Sequence, residues 1–186
     1  MVHSQIVFNY QVEIVDIITS PGHNYFGNKS VTPREHPTVL HKRIEAVAGK
    51  GLVGDRFFNI RPNHRSQVTF FAYEVWQNIK EQLGVEAHYT VFRRNIITRG
   101  IDLKALIGAD FVLSGIEFRG TRHCAPCKWM NRVFHPEALR TMRGRGGLQT
   151  QVLSTGILTK GAATLQSPVE IDSSQIIVPI KKLRLP

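Results

Sequence analysis

The longest stretch that keeps a helical period is short. Phe71, Val75, Ile79 and Leu83 recur every four residues, Trp76 widens the stripe and Gly84 follows as a stop. They predict one core-packing helix over Ala72 to Leu83. Elsewhere the apolar residues come in brief runs broken by glycine, proline and polar clusters. Gln11 to Ile18 alternates and then becomes apolar, which predicts a strand with a buried face, ended by the turn Ser20-Pro21-Gly22-His23-Asn24. Val39 to Val47 alternates again, with Leu40, Lys42, Ile44 and Ala46 sharing one face. Gln67 to Phe71 and Tyr89 to Thr98 read as extended, and Phe111–Leu113 with Ile116–Arg119 as a hairpin about Ser114-Gly115. Polar loops are expected near Asn28 to Thr38 and Asn59 to Arg65, and short helical turns at Ile101 to Ile107 and from Pro136. Strands resume at Gln149, turn at Gly156 and Gly161, and Ile176-Ile177-Val178 closes the pattern. Many short strands with few helices predict a β-rich chain, closed as a barrel.

At 186 residues and 42% apolar, the chain fits one domain, residues 1–186, with a sizeable core. No apolar run reaches the roughly 18 residues of a membrane-spanning helix. Met1 to Tyr10 lacks the basic and apolar regions of a secretion signal, and the two cysteines, Cys124 and Cys127, are too few for a disulfide scaffold. Both features predict a cytoplasmic protein with free thiols. Lys and Arg outnumber Asp and Glu by 24 to 14, a net charge of +10 that favours anionic partners. Nucleic acid, a phosphorylated small molecule and an acidic protein all satisfy that balance.

The sharpest local signal is His123-Cys124-Ala125-Pro126-Cys127-Lys128-Trp129. Two thiols at this spacing share a metal, cycle as a redox pair or sit as small buried side chains. Arg122, His123 and Lys128 supply positive charge that favours a thiolate at Cys127. A structural zinc site would need a fourth ligand beyond His123, Cys124 and Cys127. The second signal is Phe92-Arg93-Arg94-Asn95-Ile96. On a strand, Arg93 and Asn95 would face one way and Arg94 the other; an anion site and a surface charge ladder both fit. The third is Gly51-Leu52-Val53-Gly54-Asp55-Arg56. It reads either as an anion-binding turn beside Arg56 or as a tight turn with an Asp-Arg pair. Arg140 to Gly147 holds three arginines among glycines, a solvated loop or a contact for a polyanion. Of the histidines, His64 and His123 lie near these signals, and the others read as surface or packing residues.

In order and spacing, these segments resemble the MOSC family, named for the C-terminal domain of molybdenum-cofactor sulfurases. Ile17 to Pro21 resembles its opening strand, Gly51 to Arg56 its Gly-Asp-Arg segment and Phe92 to Ile96 its middle motif. Gly100 to Gly108 continues the middle motif, Gly120 to Cys127 is similar to its cysteine motif, and Gly146-Gly147-Leu148 resembles its closing strand. The likeness spans roughly residues 12–165 and implies a MOSC-type β-barrel with a few peripheral helices. It implies that Cys127 carries persulfide sulfur or ligates molybdenum, and that Arg56, Arg93 and Asn95 hold the anionic groups of the molybdenum cofactor (molybdopterin). A sulfur-donor protein such as a cysteine desulfurase is the implied partner. Sulfur transfer, metal-sulfur cluster or cofactor assembly, and reduction of N-hydroxylated compounds are the implied activities. Ala125 stands where cofactor-holding relatives carry serine, and Asn63-His64-Arg65 replaces a His-Gly-Gly run. Two other readings remain: a basic RNA-binding module using Arg93-Arg94 and Arg140 to Gly147, and a Cys124/Cys127 thiol redox protein.

Overall fold

The computed structural model describes residues 7–25 and 34–180. Part of the expected polar loop, residues 28–33, lies outside that range. The first strand, β1 (Phe8–Thr19), is the longest because it serves several neighbours. Phe8 to Ile14 pairs with β11 (Gly161–Ser167), Glu13 to Ile17 pairs with β6 (Ile96–Arg99), and Ile17 to Thr19 pairs with β2 (Val39–His41). The remaining barrel strands are β5 (Val68–Ala72), β7 (Asp110–Leu113), β8 (Ile116–His123) and β9 (Leu148–Val152). Among the described residues, seven strands close in the order β11-β7-β8-β9-β5-β6-β1, with the β1–β11 pairing completing the circle and β2 appended to β1. The expected β-rich, MOSC-type barrel is the observed architecture.

The interior is aromatic and aliphatic. Phe70 meets Phe118 edge-on at 5.3 Å between ring centroids, Phe111 stacks on Phe118, and Ile14, Ile96, Leu113 and Leu148 are buried with them. A second sheet joins β3 (Arg43–Val47), β4 (Gly51–Leu52) and β10 (Gly156–Thr159), burying Ile44, Ala46, Leu52 and Leu158. Helix α1 (Tyr73–Leu83) follows β5 without a loop and ends at Gly84 in the left-handed region, φ 62°, as the sequence predicts. The hairpin between β7 and β8 turns at Ser114 and Gly115, both with positive φ. A 3₁₀ turn, Leu103–Leu106, packs so closely on β8 that a Cβ at Gly120 would lie 1.9 Å from the Leu106 carbonyl oxygen. No helix among the described residues is long and apolar enough to cross a membrane.

Three local expectations are corrected. Val39 to Val47 is two strands, because the chain changes partners at Lys42, from β1 to the second sheet. A single face is therefore not kept: Ile44 and Ala46 are buried while Leu40 is 56% exposed. Tyr89 to Thr98 is not one strand; Tyr89–Phe92 forms a 3₁₀ turn and Arg93 is left-handed at φ 55°. The aromatic residues there signalled burial rather than extension: Tyr89 packs edge-on against Trp76, and Phe92 against Phe71. Ile176 to Val178 follows a 3₁₀ turn, Ser173–Gln175, and leaves Ile177 and Val178 exposed rather than paired. Two short helices lie between β8 and β9: α2 (Lys128–Val133), which the sequence pattern did not reveal, and α3 (Ala138–Thr141), two residues past the expected start at Pro136.

Candidate functional site

One end of β1 organises the site. The chain leaves β1 at Ser20, whose backbone carbonyl accepts from Arg56 N–H at 2.8 Å, docking the turn that follows β4. Gly51 (φ 109°) and Gly54 (φ 80°) allow that turn, and Asp55 N–H closes it onto the Leu52 carbonyl at 3.1 Å. The backbone N–H groups of Asp55 and Arg56 are thus engaged within the protein. The contribution of this turn is its side chains, a buried Asp55 paired with Arg56 at 3.5 Å.

Asn95 ties three segments together beneath the surface. It is 1% exposed. Its Nδ2 donates to the Ile18 carbonyl at 3.0 Å and to Asp55 Oδ1 at 2.8 Å. Its Oδ1 accepts from Thr69 N–H at 3.0 Å and from the Thr69 hydroxyl at 2.8 Å. Burial pushes the Asp55 carboxyl above its ordinary pKa, against the pull of Arg56 and of the Asn95 amide. Asn95 therefore fixes Asp55, and Asp55 in turn fixes Arg56.

Among the described residues, Arg93 leaves more buried side-chain polar atoms without a hydrogen-bond partner than any other. The left-handed backbone at this residue directs its side chain back to the end of β1, where Nη2 donates to the Ser20 hydroxyl and the Gly22 carbonyl. Its Nε and Nη1 are buried without a hydrogen-bond partner. Desolvation, followed by repulsion from Arg56, lowers its pKa to about 10, with Asp55 opposing. Arg56 donates to the Arg93 carbonyl at 3.0 Å and is itself held below its usual range, first by burial. Arg94 turns the other way, donating to the Gly146 carbonyl at 3.0 Å and to the Phe92 carbonyl at 3.2 Å.

Cys127 reaches the same place from the opposite side. Cys124 N–H donates to the Gly147 carbonyl at 2.8 Å, and His123 Nε2 accepts from Gly146 N–H at 3.0 Å. Glycine is required at 146 by this contact, since a Cβ would stand 2.2 Å from the Cys124 carbonyl oxygen. Pro126 follows, and Cys127 stands exposed just before α2. Trp129 anchors that helix by donating to the Val91 carbonyl at 3.2 Å, and Met130 is buried below. Cys124 is buried, and its sulfur accepts from Gln149 Nε2 at 3.7 Å. Both thiols are free.

Arg56, Arg93 and Cys127 line one cavity of about 120 Å³, together with Arg94. Phe57, Phe92, Trp129 and Tyr25 give it aromatic walls, and His23 and Asn24 complete the rim. Tyr25 and Trp129 face each other at 6.0 Å, and Arg56 lies over the Phe57 ring at 4.8 Å. Asn95 does not line the cavity but lies behind it. Of the histidines singled out by position, His64 stacks on Phe57 and His123 serves Gly146, so neither lines the cavity. His23, read from the sequence as surface or packing, does line it. Its signal was its place directly after the first strand's Ser20-Pro21-Gly22. Arg122, expected to act on Cys127, donates to Gln149 instead. Arg145 is buried against Thr141, Asn78 and Ile177, so this part of the arginine-glycine run is a packed segment rather than a solvated loop.

The site carries a proton linkage. Burial first, and then Arg56 and Arg93, lower the pKa of His23, with Asp55 opposing and His36 adding to the fall. The neutral form of His23 is thus favoured in the unliganded site. An anion between the arginines reverses the local field and raises the His23 pKa, so binding takes up a proton. Sulfate, a dianion throughout, should therefore bind more tightly as the pH falls through the titration of His23, whose pKa is lowered from its ordinary value, first by burial. Calorimetric titration at several pH values should show this slope in the native protein. A slope as steep in His23→Gln would remove His23 from the linkage.

A family model described as the MOSC domain matches residues 33–164. Among solved structures, the YuaD protein of Bacillus subtilis superposes with a TM-score of 0.71 at 16% identity, covering 89% of this chain and all of its own. YiiM from Geobacillus stearothermophilus gives 0.61 at 17% identity, with 86% of this chain and 75% of that one covered. YiiM from Escherichia coli gives 0.55 at 15%, with 85% and 75% covered. At such identities these structures share the fold. No curated protein matches the sequence. With the barrel, the order of the motifs and a family match over more than half of its length, the chain belongs to the MOSC domain family.

Proposed function

We propose that this chain is a sulfur-carrier domain in which Cys127, as thiolate, holds a sulfane sulfur beside an arginine-built anion site. The observation that carries this reading is the meeting of an exposed thiol with Arg93, a buried guanidinium with two unpartnered N–H-bearing nitrogens, in one cavity. Buried polar groups are rarely left unpaired, and an arginine so placed calls for an anionic acceptor. An exposed cysteine next to that acceptor site is placed to exchange sulfur with a ligand or with a donor protein.

The same donor set supports a second role, binding the molybdenum cofactor. Arg93 and Arg56 would hold its anionic end, and Cys127 would be a soft ligand to molybdenum. Among the described residues no three His, Cys, Asp or Glu side chains gather as a metal site, so the protein's contribution to the metal would be this thiolate. When bound, such a cofactor supplies oxygen-atom transfer and two-electron redox chemistry. The RNA-binding alternative relied on Arg93-Arg94 and on Arg140 to Gly147; Arg93, Arg94 and Arg145 are buried, while Arg140 and Arg143 are exposed.

The test is intact mass with metal and pterin analysis of protein from a host that makes the cofactor. Native protein should carry a sulfur adduct or bound pterin, kept in Cys124→Ala and lost in Cys127→Ala. Bare protein in all three, with no adduct after treatment with a sulfur donor, would sink the reading.

A further inference from the structure

The cavity is small, roughly four water molecules in volume at ~30 Å³ each. It is also charged unevenly. Arg56, Arg93 and Arg94 border it, and the neighbouring carboxylate, Asp55, is already held by Asn95 and Arg56. Arg93 is more than nine-tenths buried, fixed through Nη2, and keeps Nε and Nη1 without partners. Two close guanidiniums repel until a doubly charged anion sits between them. Cys127 lines the same space and is exposed. Such a geometry suits a compact ligand with an oxyanion at one end and a transferable sulfur at the other.

We propose that the sulfur donor is a small thiosulfonate-type anion, thiosulfate being the simplest, bound by Arg93 and Arg56 through its sulfonate oxygens. This rests on the sulfur-carrier reading and names its donor. The Cys127 thiolate attacks the terminal sulfur of thiosulfate and forms a new S–S bond. The bond between that sulfur and the sulfonate breaks, and its electron pair leaves on sulfite. One thiolate and one thiosulfate dianion become one Cys127 persulfide anion and one sulfite dianion. Charge and atoms balance, and no further oxidant or reductant enters. The arginines that hold the sulfonate also hold the departing sulfite, whose charge grows as the bond breaks. The structure thereby separates two tasks: the guanidiniums recognise the donor, and the thiol takes the sulfur.

The experiment incubates the purified full chain with thiosulfate, and in parallel with inorganic polysulfide, which lacks a sulfonate. Mass spectrometry locates the added sulfur, and released sulfite is measured. Thiosulfate should add one sulfur to Cys127 with an equal amount of sulfite, and Cys127→Ser should take none. Loss of a charge-assisted hydrogen bond in Arg93→Met should slow thiosulfate loading by at least about tenfold. Sulfate should compete with thiosulfate on the native protein while leaving polysulfide loading almost unchanged, a readout that needs no variant. If polysulfide loads Cys127 and thiosulfate does not, the donor assignment falls while the carrier reading stands. If neither loads it, both fall. Thiosulfate loading that is indifferent to sulfate also overturns the assignment.

Discussion

Asn95→Ala is expected to destabilise the protein by about 3–5 kcal/mol, which urea denaturation will read as a fall in midpoint at constant slope. The change removes a side chain whose two ends are both engaged. Thr69 N–H and Asp55 Oδ1 lose their partner in Asn95, and the Ile18 carbonyl and the Thr69 hydroxyl each lose one bond. Each buried polar group left unpaired costs roughly 1–3 kcal/mol, and more when it is charged. The loss of Asp55's partner should dominate, since burial already strains that carboxylate. Combining Asn95→Ala with Asp55→Ala should therefore cost less than the sum of the two, by at least about 1 kcal/mol. Strict additivity, or a single-variant loss below about 1 kcal/mol, would mean that water replaces the amide and that the link to Arg56 is loose.

Arg93→Met should move binding and stability in opposite directions. Sulfate should protect the native protein against unfolding, as any ligand of the folded state does. The variant should lose most of that protection, with affinity falling by about 10- to 150-fold as one charged hydrogen-bond donor set disappears. Without ligand, however, its stability should stay level or rise by up to about 2 kcal/mol, because a buried cation with unpartnered donors is replaced by an apolar chain. The bonds to Ser20 and Gly22 are the opposing loss. A fall beyond about 2 kcal/mol would identify Arg93 as a clamp of the fold rather than a ligand-binding group. The pH profile offers a second check. The native charge, and sulfate affinity with it, should decline as pH rises through about 10. In the folded state that lowered pKa is a burden present below 10 and relieved above it, the reverse of a stabilising pair.

The sequence made some of this plain and hid the rest for definable reasons. The alternation of the first strand, the helical stripe ending at Gly84 and the hairpin turn at Ser114-Gly115 are short-range patterns, and they appear where expected. The meeting of Arg93 and Cys127 at one cavity is not short-range; it depends on how α2 settles over the turn at Tyr89–Phe92, through Trp129. Lys128 to Val133 lacks a periodic stripe of useful length, so this six-residue helix left no signal. Asn95 and Arg93 seemed to share a strand face, but the left-handed residue at 93 breaks that alternation. Their neighbourhood is real, yet it arises from different geometry: one side chain reaches the end of β1 and the other lies beneath it. His23 was overlooked because a lone histidine in a turn carries no spacing to read.

The closure of the barrel also governs when the protein can form. Gln11 on β1 bonds to Thr164 on β11, 153 positions later in the sequence. At about 5–20 residues per second, roughly 8–30 s of synthesis separate the first strand from the partner that seals it. Throughout that interval β1 has an open edge toward β11, and for most of it the cysteine loop has yet to be added or locked by Gly146 and Gly147. Folding must wait for nearly the whole chain to emerge, and its rate should be that of a topology dominated by distant contacts, in the millisecond-to-second range. For this molecule the growing chain is the vulnerable species, and a chaperone that shields the first strand would guard it at the stage when exposed edges are most prone to join one another.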